Sequence, residues 1–259
     1  MKYGAIRRGK AFKVHGSLLG TVRLLGESFE NVTISGMHGW AEILLAMHRT
    51  YAYTGQSSME AFWRTMIWDH DFTNRPAKLV DSKGFESLVI MWMAGAFQKT
   101  IAKDGLAAAE KQLEGYRTLN DLASHISDSA FPTHAKFRFL MIKLGLLDGP
   151  SEKVLSMSEQ AAWIEKIRNT GKTCFAVIGV TSRYRRPFLT DSGHLGSSCE
   201  STQAGDEVWI VSGCPVPLVL RNSADHEGGH TLVGESYVHG VMNGEAAEGS
   251  AAWQELDLV

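Results

Sequence analysis

Three apolar, β-branched runs stand one after another near the end of the chain: Glu207 to Ser212, Val216 to Arg221 and Thr231 to His239. Turn-forming residues separate them, which is the pattern of a small antiparallel meander. Inside the second turn lies His226-Glu227-Gly228-Gly229-His230, the spelling of a zinc-protease motif. Whether that stretch is a metal site or a sheet with a polar loop decides the class of protein.

His-Glu-x-x-His holds a metal because one helical turn brings both histidines to the same face, with the glutamate as base toward a bound water. Here Gly228 and Gly229 fill the middle positions, costing a helix roughly 2 kcal/mol. Strand-like runs on both sides leave no room for it, and Asn222-Ser223-Ala224-Asp225 is loop chemistry. A third ligand would have to come from Glu245 or Glu248. The sequence therefore reads as a polar hairpin loop, and the zinc metallohydrolase using His226, Glu227 and His230 is the alternative.

Upstream, Ala11 to Phe29 alternates apolar with small or polar residues and carries Gly16 and Gly20, which suits one or two short strands. From Trp40 the period becomes helical. Trp40, Ile43, Leu44, Met47 and Tyr51 form one stripe. Ser57 to Glu60 spells a capping box before a second stripe of Met59, Phe62, Trp63, Met66 and Ile67. Further helical stretches are expected around 85–96, 106–113, 119–126, 137–144 and 158–168. Thr173 to Thr181 is too short and β-branched to assign by period. Both ends thus carry strand pattern around a helical middle.

A formal net charge of -2 gives no global field toward nucleic acid or an anionic membrane. The short run Arg183-Tyr184-Arg185-Arg186 reads as a solvated element end. Three cysteines, Cys174, Cys199 and Cys214, contain no Cys-x-x-Cys pair, so reduced thiols in a cytoplasmic protein are expected. The N-terminus lacks the apolar region of a secretory signal, and Leu88 to Phe97 is about half a membrane span. Asn31-Val32-Thr33 spells a glycosylation acceptor that is silent without secretion. No phosphate-binding glycine loop or nucleophile elbow occurs. Cys199 reads as an inert thiol and His239 as a hydrogen-bonded sheet histidine. The sequence assigns no catalytic, cofactor-binding or metal-ligating residue.

The C-terminal runs resemble a known region. RRPFLTDSGHLG, AGDEVWIVSGCPVPLVLR and HTLVGESYVHGVMNGEA are similar to the part that follows the HET domain in fungal heterokaryon-incompatibility proteins. The matching positions are Arg185, Arg186, Phe188, Thr190, Gly193 and Gly196, then Gly205, Asp206, Val208, Pro217, Leu220 and Arg221. They close with Leu232 to Gly240, Met242, Gly244 and Glu245. More loosely, KVHGSLLGTVRLLGE resembles the first strands of that region and EAFWRTMIWD its first helix.

The resemblance implies an α+β fold: a small β-barrel formed by N- and C-terminal strands with a large helical insertion. It places strands within 11–29 and 185–242 and the insertion at 38–170, in one HET-associated barrel domain over 1–259. It also makes Thr173 to Thr181 the end of a helix leading into the barrel. The Tyr-x-x-Leu-Ser-Tyr-x-Trp-Gly signature of the HET domain is absent, and Gly196-Ser197-Ser198 replaces the usual Gly-Pro. The expected function is non-catalytic, in allorecognition or as a regulatory protein partner of a HET domain. A small-ligand barrel is a further alternative. No cofactor, nucleic acid or membrane is expected, and the chain reads as a stand-alone barrel or a piece of a longer protein.

Overall fold

A computed structural model describes residues 11–29, 38–78, 81–115, 133–150, 154–246 and 252–259. The run Ala11 to Phe29 contains one long strand rather than one or two short ones, β1 (Phe12–Leu25). Gly20 bends it without ending it. Its φ is 142°, and a Cβ there would stand 2.3 Å from Ser192 Oγ. The register shifts between Leu18 and Gly20, as a bulge requires. Bending lets one strand serve three neighbours.

Downstream strands are β2 (Arg185–Thr190), β3 (Leu195–Cys199), β4 (Glu207–Val211), β5 (Leu218–Asn222), β6 (Gly229–Val238) and β7 (Gln254–Leu258). The expected meander is β4, β5 and β6. Successive pairing β1-β2-β3-β6-β5-β4 returns to β1, so these strands close a barrel. The N-terminal part of β1 pairs antiparallel with β7, whose other neighbour, β6, runs parallel to it. That last strand lies beyond the 185–242 stretch, although Glu255-Leu256-Asp257-Leu258 alternates as a strand should.

Neighbouring residues of β4 and β5 face opposite ways, and both faces are buried. Val208 and Val219 pack with Leu19, Phe188 and Val238. Trp209, Val211, Leu218 and Leu220 pack with Leu256. A clean apolar-polar alternation is therefore missing from these strands.

Between β1 and β2 the described residues form six helices: α1 (His38–Ala46), α2 (Ser58–Met66), α3 (Asp81–Asp104), α4 (Leu106–Gly115), α5 (His134–Lys143) and α6 (Met157–Thr181). The stretches expected at 158–168 and 173–181 are one continuous helix, entered through a full capping box between Ser156 and Glu159. Its end leads directly into β2, as the resemblance implied. Ser57 accepts the Glu60 amide at 3.0 Å, which starts α2 where its spelling indicated. Helix α1 stops at Ala46, yet Met47 and Tyr51 remain buried beyond it. The stretch 119–126 and Asn31-Val32-Thr33 lie outside the described residues.

The helical core centres on Trp40, Phe62 and Phe85, whose rings pack edge-on or stacked. Leu189 of β2 and Leu195 of β3 join that core while Phe188 enters the barrel. One hairpin thus belongs to both layers. Ser182 closes the seam by donating to Met66 O at 2.7 Å, satisfying a carbonyl at the end of α2. No described helix is long and apolar enough to cross a membrane.

Candidate site at the seam between barrel and helices

His226-Glu227-Gly228 is the tip of the β5–β6 hairpin, and Gly229 and His230 already belong to β6. No helix forms there. His230 is 8% exposed, and its Nε2 lies 3.1 Å from Glu207 Oε2, which also accepts the Trp209 indole N–H at 2.9 Å. His226 is exposed. Glu245 is held elsewhere by Asn243, and Glu248 lies outside the described residues. Among the described residues no group of three His, Cys, Asp or Glu could hold a metal. Protein purified without chelators is expected to contain no stoichiometric zinc by mass spectrometry of the metal content. A stoichiometric zinc that disappears in His230→Ala would reinstate the hydrolase.

The chemistry gathers elsewhere, where α2 meets the end of β6. Arg64 is 5% exposed on α2. It donates to Glu60 Oε1 at 2.8 Å, to Asp69 Oδ1, and to Ala77 O at 2.7 Å. Immediately after α2, Trp68 and Asp69 adopt φ of 55° and 50°. Left-handed backbone at two successive non-glycine residues is strained and persists only where the surroundings enforce it. Here the Asp69 amide reaches Arg64 O at 2.7 Å, and the Ala77 amide reaches Asp69 O at 3.0 Å.

This corner lays Trp68 parallel to Tyr237, with centroids 6.1 Å apart. The Arg185 guanidinium lies 4.6 Å from the same indole and donates to Glu235 O. Arg185 is thus engaged, not a solvated element end. Next to Tyr237, His239 is 3% exposed. Its Nε2 is 2.6 Å from Gln56 Oε1 and its Nδ1 is 2.9 Å from Tyr237 Oη. An amide oxygen only accepts, so Nε2 carries the proton and Nδ1 accepts from the phenol. Tyr51 completes the seam, donating to His239 O and accepting the Leu195 amide, each at 3.0 Å. Gly240 follows at φ 81°, where a Cβ would stand 2.7 Å from Thr54 Cγ2.

Burial pushes the Tyr51 and Tyr237 phenols up, so both stay protonated. Burial is also the main reason His239 falls to about 4; Asp69 and Glu245 oppose it and Arg64 reinforces it. The unfolded imidazole protonates near 6.5 and the folded one near 4, so the stability present above pH 6.5 is lost as pH falls through that window. The loss should approach about 3 kcal/mol at its lower end. Melting temperatures from pH 8 to pH 4 test this, because His239→Gln should flatten the profile. An unchanged acid slope in that variant would assign the dependence to other groups.

Thr54, Gln56, Asp69, Arg75, Tyr237, His239 and Glu245 line a cavity of about 390 Å³ at this seam. Three stretches that carry the family resemblance therefore converge here: Glu60 to Asp69, Arg185, and Tyr237 to Glu245. Another pair of resemblance residues has a structural task. Asp206, 2% exposed, takes two hydrogen bonds from Arg221, at 2.7 and 2.9 Å, and joins the start of β4 to the end of β5. His239 is the buried, hydrogen-bonded histidine its sequence context indicated, although it lies just past β6. Arg64, Asp69 and Arg75 carried no sequence signal of a site.

The Het-6 beta-barrel domain family matches residues 146–256. The chain is also similar to heterokaryon incompatibility protein 6, OR allele, of Neurospora crassa, with 39% identity over 66 residues. That alignment covers 25% of this chain and 10% of the relative, so the match spans about a tenth of that protein. No solved structure matches the chain. The closed barrel and its ordered motifs accord with that match: residues 146–256, which supply every barrel strand but β1, are similar to the Het-6 beta-barrel domain family.

Proposed function

We propose that this heterokaryon-incompatibility-like chain is a non-catalytic, protein-binding domain, acting in non-self recognition or as a regulatory partner of a HET domain. One observation carries the reading. Three of the stretches that resemble the family meet at a seam that fixes a barrel to a helical layer, not at a nucleophile and base. A general base works best with a pKa near the operating pH and within reach of a proton to abstract. His239 is far below neutrality, and both its nitrogens are engaged. Tyr237 and Tyr51 are held protonated. The seam is built for rigidity, which suits presentation of a surface to another protein.

Co-expression of the tagged full chain with a HET-domain protein in fungal cells, followed by size-exclusion chromatography, tests the reading. Co-elution as one complex is expected. Separate elution of two folded proteins would overturn it.

A further inference from the structure

The seam cavity holds an electrostatic arrangement that the protein-binding reading does not use. Arg75 lines it and makes no hydrogen bond or ion pair among the described residues. Its loop is nevertheless shaped. The Asp71 carboxylate accepts the Thr73 and Asn74 amides, each at 2.6 Å, and the Asp71 amide donates to Asn74 O. Two carboxylates line the same cavity. Asp69 engages Arg64 and the Ala77 amide through Oδ1 only, leaving Oδ2 without a hydrogen bond among the described residues. Glu245 is held by the Asn243 amide at 2.7 Å and its side-chain nitrogen at 3.0 Å. Burial raises the Glu245 carboxyl, but these bonds and the bond from its own amide bring it below its ordinary value.

Opposite charges thus line one cavity without closing on each other. A plain anion would meet Arg75 but face two carboxylates, and a plain cation would face the guanidinium. A molecule carrying both charges satisfies every wall, with its carboxylate on Arg75 and its ammonium between Asp69 and Glu245. The volume of about 390 Å³ lies in the range of small-molecule sites. The wall of Tyr237 and Met242 suits a modest side chain. The strained Trp68–Asp69 corner, which places one of the carboxylates, is of the kind found at ligand clamps.

We propose that the seam cavity binds a small zwitterion of the free α-amino acid class, held between Arg75 on one side and Asp69 and Glu245 on the other. The site does not depend on the protein-binding reading, and co-elution with a HET-domain protein neither supports nor weakens it.

Isothermal titration of the full chain with alanine, serine, glutamine, methionine and phenylalanine tests it, with acetate and methylammonium as single-charge probes. At least one amino acid should bind with a Kd of about 1 mM or tighter, and both single-charge probes roughly tenfold more weakly. Arg75→Gln and Glu245→Gln should each weaken the best amino acid roughly tenfold. Arg75 is exposed and unpaired among the described residues, so Arg75→Gln should melt at the wild-type temperature. Absence of binding by all five amino acids would overturn the proposal. So would acetate binding as tightly as the best of them, or unchanged affinity in a folded Arg75→Gln protein.

Discussion

Arg64→Ala is expected to destabilise the chain by about 3–5 kcal/mol, the range for removing one partner of a buried ion pair. The side chain of Arg64 is 6% exposed, and those of Glu60 and Asp69 are 19% and 21% exposed. The substitution leaves two partly buried carboxylates without their shared cation and frees the Ala77 carbonyl. It also removes the side-chain anchor of Asp69, leaving only backbone hydrogen bonds and packing to hold the left-handed corner. Urea titration should show a lower midpoint at unchanged slope. Arg64→Lys should recover only part of the loss, because an ammonium keeps the charge but cannot reproduce the guanidinium fork. A shift for Arg64→Ala below about 1 kcal/mol would mean that backbone hydrogen bonds and packing hold the corner without the guanidinium.

Trp40→Ala should cost a similar amount, about 3–5 kcal/mol, by a different route. The indole is 0% exposed and packs on Phe62, Phe85 and Trp92 at centroid distances of 5.5, 6.3 and 5.8 Å. Its Nε1 also donates to Glu27 O at 2.8 Å, holding the segment that leaves β1 against the helices. The loss combines a cavity in the helical core with an unpaired carbonyl at the layer junction. Trp40→Phe should restore most of the packing and leave only the hydrogen-bond deficit. Equal losses in the two variants, read from urea midpoints, would show that the indole N–H rather than ring volume sets the cost.

Local chemistry explains how much of the fold could be read in advance. The meander was legible because Gly213, Pro215 and Asn222-Ser223 punctuate β-branched runs. The barrel built from both ends came through the resemblance, since no local pattern pairs β1 with β2 and β4. Thr173 to Thr181 hid a helix because β-branched residues conceal period over so few positions. Gly16 and Gly20 left one or two short strands open, whereas Gly20 supplies a bulge in a single long one.

The seam was hardest to foresee. Arg64 reads as an ordinary polar position on an amphipathic helix, and Trp68 and Asp69 carry no glycine to announce a left-handed turn. Tyr237 and His239 show only strand alternation. Their meeting depends on tertiary placement across most of the chain. The spelling that did stand out, His226 to His230, had no helix to make it a site.

The pairing of β1 with strands made much later also sets an order of events during synthesis. Leu25 must wait for Phe188, and Phe12 for Leu258. At about 5–20 residues per second, β1 leaves the ribosome on the order of ten seconds before any partner exists. Meanwhile the helices can collect around Trp40 and Phe85, since their contacts are closer in sequence. The ring cannot close until β6, the last of its strands to be made, pairs with β3 and β5. A nascent chain stalled before Arg185 therefore displays an unpaired, half-apolar edge, a substrate for chaperones or for a neighbouring copy on the same messenger.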